Sequence, residues 1–151
     1  MVKRLGKFGE YMIKDPVNQS FWNKKNVLVT GHTGFKGTWL SLWLNLLGAN
    51  VTGISLDAEE SSLFNKVSLQ ELINHKTIDI TNYDSLSKTL KEISPEIVFH
   101  LAAQSLVIES YKNPRETWMV NTMGSVNVIE AIRELNKPCI LVMITTDKVY
   151  K

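Results

Sequence analysis

Several residue classes that mark other kinds of protein are scarce or missing in this sequence. A single cysteine, Cys139, excludes an intramolecular disulfide framework and a cysteine-rich metal site. No run of about 18 consecutive apolar residues is present, so we expect no membrane-spanning helix. The N-terminus also lacks the continuous apolar stretch of a secretory signal, and a cytoplasmic protein is the expectation that follows.

An excess of charge of one sign is missing too. The 17 Lys and Arg residues nearly balance the 15 Asp and Glu residues, which leaves a formal net charge of +2. The basic residues are scattered, apart from a few near the start and the pair Lys24-Lys25. Nucleic acids and anionic membranes bind extended basic surfaces, so we expect neither as a partner and look for a small-molecule ligand instead.

What the sequence does contain is an alternation of short apolar runs with longer helical patterns. The predicted strands are Val27–Val29, Asn50–Leu56, Thr77–Ile80, Glu96–Ala102 and Cys139–Thr145. The helices predicted between them are Phe35–Leu47, Asn82–Ile93 and Pro114–Leu135. Strands joined by helices of this length form right-handed crossovers, which predicts an α/β fold with a doubly wound parallel sheet of the Rossmann type.

The domain organisation predicted from this pattern is simple. Residues 1–20 show no clear period, and we expect them to be a poorly ordered lead-in. Residues 21–151 form the Rossmann domain, which we expect to be truncated after about five strands. A helix as apolar as Phe35–Leu47 is expected to pack deep against the sheet.

The segment Thr30–Gly37 reads Thr-Gly-His-Thr-Gly-Phe-Lys-Gly and lies between the first strand and the first helix. In this context Gly31 permits a tight turn, Gly34 lets the backbone approach a pyrophosphate, and Gly37 lets the helix lie close to the sheet. The free amides and partial positive charge of the helix N-terminus then favour the phosphates. The turn therefore predicts binding of a nicotinamide dinucleotide, with Thr33, Phe35 and Lys36 among the contacts.

Two details of this site stay open on sequence alone. Dinucleotide-binding domains carry an acid near the end of the second strand, and here either Ser55 or Asp57 can fill that place. No arginine stands there for a 2′-phosphate, which favours NAD over NADP. Lys36 either touches phosphate or is solvated, and His32 is more typical of a structural than of a catalytic residue.

A resemblance narrows the prediction. The glycine turn followed by Trp39-Leu40, the segment Phe99–Gln104 and the ending Thr145–Tyr150 resemble the extended short-chain dehydrogenase/reductases. Within them the chain is most similar to CDP-glucose 4,6-dehydratases, over about Phe21 to Tyr150. That family implies an internal redox reaction on CDP-glucose: hydride leaves C4 for NAD, water is eliminated across C5–C6, and hydride returns to C6.

The resemblance also implies roles for residues at matching positions. Thr146 would hydrogen-bond the 4-hydroxyl, Asp147 would protonate the departing 6-hydroxyl, and Lys148 would be the base at C5. Asp79 and Ile80 would contact the adenine. The nicotinamide and its ribose would lie against a short segment after the fourth strand, backed by a helix residue: Leu101, Ala102, Ala103, Gln104 and Asn121.

The sequence departs from this family by lacking the Tyr-x-x-x-Lys pair that supplies the base for the 4-hydroxyl. We therefore expect the 151-residue chain alone to be inactive, with the substrate domain absent and the fifth strand left as a sheet edge. The helix Pro114–Leu135 would expose the face through which the family forms homodimers. Alternatives are a non-catalytic dinucleotide-binding module and another nucleotide-sugar epimerase or dehydratase of the same superfamily.

Overall fold

The computed structural model describes residues 19–146. The strands are β1 Asn26–Thr30, β2 Asn50–Ser55, β3 Asn74–Thr77, β4 Ile97–His100 and β5 Ile140–Met143. The helices are α1 Gln19–Trp22, α2 Phe35–Leu46, α3 Leu63–Lys66, α4 Tyr83–Ile93, α5 Val107–Lys112, α6 Pro114–Trp118 and α7 Ser125–Arg133, with a 3-10 turn at Leu69–Glu71 and a π-helical segment at Met119–Gly124 between α6 and α7.

The five strands form one parallel sheet in the order β3-β2-β1-β4-β5. This order confirms the predicted Rossmann-type fold. Strand β1 is central and pairs with both β2 and β4, so the chain crosses from one half of the sheet to the other after β3. The connection after β1 leads toward one edge of the sheet and the connection after β4 toward the other. A crevice therefore opens beyond the carboxyl ends of these two strands.

Apolar side chains fill the space on both faces of the sheet because successive residues of a strand point to opposite sides. Val27 and Val29 of β1 pack in one cluster with Leu44 of α2 and Phe64 of α3. Leu28, between them in sequence, packs in the other cluster with Leu90 of α4. Two separate cores sandwich the sheet, as the doubly wound architecture requires.

The largest differences between the prediction and the structure concern three elements. The third strand is Asn74–Thr77 rather than Thr77–Ile80, because an edge strand can be polar and the apolar residues that follow it belong to a loop. The helix predicted over Pro114–Leu135 is divided by its π-helical segment and ends at Arg133. Helix α2 is not buried all round, since Trp39 and Trp43 are exposed.

No helix within residues 19–146 is long and apolar enough to cross a membrane. The same residues contain no group of three or more His, Cys, Asp or Glu side chains placed to hold a metal ion.

The loop after β1 is fixed to the sheet by His32, which is fully buried. Its Nε2 lies 2.7 Å from Nδ1 of His75 on β3, and its ring meets the Phe64 ring edge-on at 5.3 Å. The ring also lies directly over Gly53 of β2, where an added Cβ would overlap it. Burial, and to a smaller extent the His75 imidazole, lower the pKa of His32 from 6.5 to about 4. The structure thus gives His32 the packing role that its position in a loop suggested.

This burial predicts acid sensitivity. Between pH 6.5 and 4 the unfolded chain binds a proton at His32 that the folded chain excludes, so the free energy of unfolding falls as the pH falls. The slope contributed by one such group is at most about 1.4 kcal/mol per pH unit. We expect His32→Gln to have a shallower slope across this window in urea titrations at a series of pH values. Lys66→Gln, on the exposed side of α3, is the control and should keep the original slope; equal slopes for all three proteins would contradict the assignment.

Candidate functional site

A cleft of about 570 Å³ lies at the carboxyl ends of the strands, where the two halves of the sheet diverge. Ligands of open α/β sheets bind at such points, because the loops that leave neighbouring strands separate there. The cleft is lined by residues from the loops and helices that follow the strands: Gly31, Thr33, Gly34, Phe35, Lys36, Gly37, Ser55, Leu56, Ile78, Asp79, Ile80, Leu101, Ala102, Ala103, Ser105, Val120, Ile144 and Thr145.

The three glycines of the turn meet different surroundings. Gly31 has φ +73°, and a Cβ on it would lie 2.8 Å from Cα of Ala102, too close for any side chain. A Cβ on Gly37 would overlap the carbonyl oxygen of Gly31, so the first turn of α2 rests directly on the loop. Gly34 is different: an added Cβ there would meet only the Gly31 oxygen, at 3.3 Å. The bare side of Gly34 therefore opens into the cleft, which leaves room for a ligand's phosphates.

The N-terminus of α2 supplies the donors at this point. Gly34 caps the helix without a side chain, and its N–H donates to Gly31 O at 3.1 Å. The next three amides, of Phe35, Lys36 and Gly37, have no carbonyl one turn earlier to bind. No acidic residue lies in the first turn of α2, so the partial positive charge of the helix end is not neutralised there. This arrangement favours an anionic group in the cleft.

At the end of β2 the structure separates the two candidates for the ribose position. Ser55 lines the cleft, and its hydroxyl lies 2.7 Å from Oγ1 of Thr33. The Asp57 carboxylate instead accepts a hydrogen bond from Thr77 Oγ1 at 3.0 Å, and Asp57 is not among the lining residues. The structure therefore places a hydroxyl pair, and not a carboxylate, at the wall of the cleft beside β2.

The loop after β3 forms the next part of the wall. Asp79 and Ile80 both line the cleft, and the Asp79 carboxylate accepts the Thr81 N–H at 2.8 Å. The Ile80 carbonyl accepts from the Asn127 side chain of α7 at 2.9 Å. Gly124 lies so close to the Ile80 side chain that an added Cβ would collide with it. Helix α7 and the segment before it thus hold this loop in place.

The segment after β4 contributes Leu101, Ala102 and Ala103 to the cleft, but Gln104 and Asn121 lie behind its lining. The Gln104 N–H donates to Asn121 Oδ1 at 2.7 Å, and Asn121 Nδ2 donates back to Gln104 O at 2.9 Å. This two-way clamp fixes the backbone of the segment to the π-helical segment. Gln104 and Asn121 therefore shape the cleft by holding backbone.

The three residues predicted to be catalytic lie at the end of the described chain. Thr146 is exposed and directly follows Thr145, which lines the cleft. Asp147 and Lys148 lie outside the described residues.

Sequence reasoning missed six lining residues: Leu56, Ile78, Ser105, Val120, Ile144 and Thr145. Leu56, Ile78 and Ile144 directly follow strands β2, β3 and β5, and Thr145 comes one residue later, so the rule that ligands bind beyond strand ends would have found these four. Val120 comes from a helix face, and only the packing of that helix reveals it.

Comparison with known proteins gives matches over most of this fold. The family described as GDP-mannose 4,6 dehydratase matches residues 28–150. A CDP-glucose 4,6-dehydratase of Salmonella typhimurium is 47% identical over 135 residues, which make up 89% of this chain and 38% of that protein. The chain therefore spans well under half the length of this curated relative.

Two solved structures show the same fold. Epimerase Mth375 of Methanothermobacter thermautotrophicus has a TM-score of 0.73 at 30% identity, over 85% of this chain and 37% of that one. A UDP-glucose 4-epimerase of Thermus thermophilus, solved in complex with NAD, has a TM-score of 0.63 at 27% identity, over 72% of this chain and 34% of that one. The family match, extending from the first strand to the last, confirms the resemblance seen in the sequence: this chain belongs to the GDP-mannose 4,6 dehydratase family.

Proposed function

We propose that this chain is the cofactor-binding part of an NAD-dependent nucleotide-sugar 4,6-dehydratase whose substrate is CDP-glucose. The observation that carries the proposal is the open cradle at Gly34, at the sheet's crossover point, in a chain so similar to a bacterial CDP-glucose 4,6-dehydratase. A cradle of this kind accepts a pyrophosphate, which NAD and a nucleotide sugar both carry.

The residues of the cleft fit NAD. The bare side of Gly34 and the amides of Phe35, Lys36 and Gly37 would hold the pyrophosphate, and the Ser55–Thr33 hydroxyl pair would face the adenosine ribose. Asp79 and Ile80 would line the adenine site, and Leu101 to Ala103 the nicotinamide site. When bound, NAD would accept the hydride from C4 of the sugar and return it to C6.

The preference for NAD over NADP follows from the same wall. A 2′-phosphate needs a cation at the end of β2, and the lining residues there are Ser55 and Leu56. Lys36 is the one basic residue among those that line the cleft in the described part of the chain, and it lies at the start of α2, on the pyrophosphate side. The NAD-bound epimerase with the same fold supports this choice.

The elimination step needs an acid and a base on adjacent carbons of the sugar. We assign the acid at the 6-hydroxyl to Asp147, the base at C5 to Lys148, and the hydrogen bond to the 4-hydroxyl to Thr146. The position of Thr145 on the cleft wall supports the assignment of Thr146, which directly follows it. A lysine shielded from water loses its proton more easily, which suits a base.

A second candidate is dinucleotide binding without turnover. The chain aligns with 38% of the Salmonella relative, and the described residues include the cofactor cleft. Turnover distinguishes this candidate from the dehydratase, and NAD binding is common to both.

Binding of NAD is tested by Gly34→Val. The Cβ of the new side chain would meet only the Gly31 oxygen, at 3.3 Å, and its methyl groups would occupy the cleft that Gly34 lines, so we expect a large loss of affinity with little change in stability. Calorimetric titration should show the NAD dissociation constant rising at least tenfold, about 1.4 kcal/mol. Ser61→Val, on an exposed loop outside the cleft, is the control and should bind as the original does. An original protein that shows no heat of binding at millimolar NAD would contradict the proposal.

Turnover is tested by incubating CDP-glucose and NAD with the 151-residue chain and with any longer product of the same gene. For an active protein we expect the sugar nucleotide to lose one water molecule, which mass spectrometry detects. Asp147→Asn should lower the rate by about 100-fold or more, since general acids contribute that much. Asp57→Asn removes a carboxylate outside the cleft and should leave the rate within a few-fold. An active protein indifferent to Asp147→Asn would contradict the assigned acid.

We also propose that the protein forms a homodimer through the exposed side of α6 to α7. Large apolar side chains are exposed along these helices: Trp118, Met119, Met123, Val126 and Ile129. The opposite side of α7 packs on α4 through buried Val128 and Ala131. An apolar patch of this extent is typical of protein–protein contact surfaces.

Sedimentation velocity tests the dimer. Ile129 is 45% exposed, and Ile129→Glu places a charge within the proposed contact, so we expect it to shift a dimer toward monomer. Leu46→Glu changes an equally apolar residue, 69% exposed, on the unrelated helix α2 and should leave the dimer intact. A protein that sediments as a monomer at every concentration would rule the contact out.

A further inference from the structure

His100 is a buried polar residue beside the cleft that no step of the proposed reaction uses. It ends β4 and is 3% exposed, and its register partner Thr30 ends β1. Its ring bridges two elements: Nδ1 lies 2.7 Å from Thr30 Oγ1, and Nε2 lies 2.9 Å from Ser125 Oγ at the start of α7. The histidine thus joins the two central strands to a helix through polar contacts.

The donor and acceptor of each hydrogen bond follow from the other partners of Ser125 and Thr30, the residues on either side of the His100 ring. The Ser125 hydroxyl donates to the Asn121 carbonyl at 2.7 Å, so its oxygen accepts from His100 Nε2–H. In the neutral ring Nδ1 then accepts, and the Thr30 hydroxyl is its donor. The Thr30 oxygen in turn accepts the amides of Leu101 and Ala102 at 3.2 and 3.1 Å. Under this assignment every hydrogen-bond donor in the series Thr30, His100 and Ser125 has an acceptor.

We propose that His100, as the neutral Nε2–H tautomer, is a positioning residue for the cofactor cleft. It connects the strand that leads into the glycine turn with the π-helical segment that carries Asn121. Through Thr30 at one end and Asn121 at the other, it fixes the backbone from Leu101 to Gln104. The inference rests on the proposed function in one respect, namely that this backbone is the wall against which NAD lies.

The surroundings favour the neutral ring. Burial lowers the pKa of His100 below its ordinary value. Protonation would also turn Nδ1 into a donor, and the Thr30 oxygen already accepts two amides. The buried Thr30 hydroxyl hydrogen would then lose its acceptor, which carries the cost of an unsatisfied buried donor.

A role confined to core packing makes a different prediction. If His100 only fills volume, an apolar ring of similar size should preserve the NAD affinity of whatever fraction of the protein folds. If it positions the wall, the loss of its hydrogen bonds should weaken NAD binding even where the fold is kept. The two roles therefore separate on affinity measured with folded protein.

The first test needs no substitution. Nitrogen-15 spectra of the protein labelled at histidine should show one His100 nitrogen protonated and one not, with the proton on Nε2, unchanged from about pH 6 to 8. A predominant Nδ1–H form, or averaging between the two forms, would overturn the proposal. This result does not depend on NAD, so it stands apart from the proposed function.

The second test uses variants that each keep one hydrogen bond. His100→Asn keeps an acceptor near Nδ1, His100→Gln keeps a donor near Nε2, and His100→Phe keeps neither. We expect the NAD dissociation constant to rise severalfold for Asn and Gln and at least tenfold for Phe, in samples whose circular dichroism shows the native fold. Thr52→Val, another buried substitution on the neighbouring strand β2, is the control and should bind normally.

The third test asks whether the chain of hydrogen bonds acts as one unit. Thr30→Val and Ser125→Ala change groups that both contact His100, and we expect their effects on unfolding free energy to be non-additive. In the His100→Phe background the same two changes should become additive.

If the original protein binds NAD and His100→Phe binds it equally well, the proposal fails although the proposed function stands. If the original protein binds no NAD, the proposed function fails, and the spectra and this cycle still decide the role of His100.

Discussion

The close approach of Gly31 to Ala102 is the constraint on which the rest of the site depends. These residues follow β1 and β4, the neighbouring strands from which the chain continues toward opposite edges of the sheet, and there is no room for a Cβ between them. The contact sets how far the glycine turn lies from the segment after β4, and so sets the width of the cleft. It also brings Thr30 within reach of the amides of Leu101 and Ala102, so one hydroxyl joins both sides of the crossover.

The sequence predicted the parts of the fold in which burial determines the residue type. Strands β1 and β4 are buried apolar runs, and the apolar run of β5 was found in the same way although most of its residues are exposed. Strand β3 was misplaced by three residues because its residues, Asn74 to Thr77, are polar and, in the part of the chain that the structure describes, pair with β2 alone. The π-helical segment was missed because it continues the helices on either side of it, and the contacts that Asn121 and Gly124 make there are not visible in the sequence.

The candidate site, like the fold, has parts that the sequence predicted and parts that it did not. The glycine turn could be read from spacing, since Gly31 and Gly37 lie against backbone that leaves no room for a Cβ, and Gly34 leaves its side of the cleft open. Spacing could not predict which residue near the end of β2 faces the cleft, because the two candidates are only two positions apart. In the structure Ser55 pairs with Thr33, and the Asp57 carboxylate is bound by Thr77. The hydrogen-bond chain through His100 is also invisible in the sequence. Its members lie far apart along the chain, and no spacing rule connects them.

The two edges of the five-stranded sheet are chemically unlike. Strand β3 presents polar side chains, and Lys76 is paired with Glu92 of α4 at 3.0 Å, which makes this edge a poor template for another strand. Strand β5 presents Ile140, Val142 and Met143, all exposed, beside backbone groups that, within the described residues, pair with β4 alone. Of the two edges, β5 is therefore the better template for a further strand. A strand paired with β5, from this polypeptide or from another, would lie next to Ile144 and Thr145, which line the cleft, and so would also shape that end of the cleft.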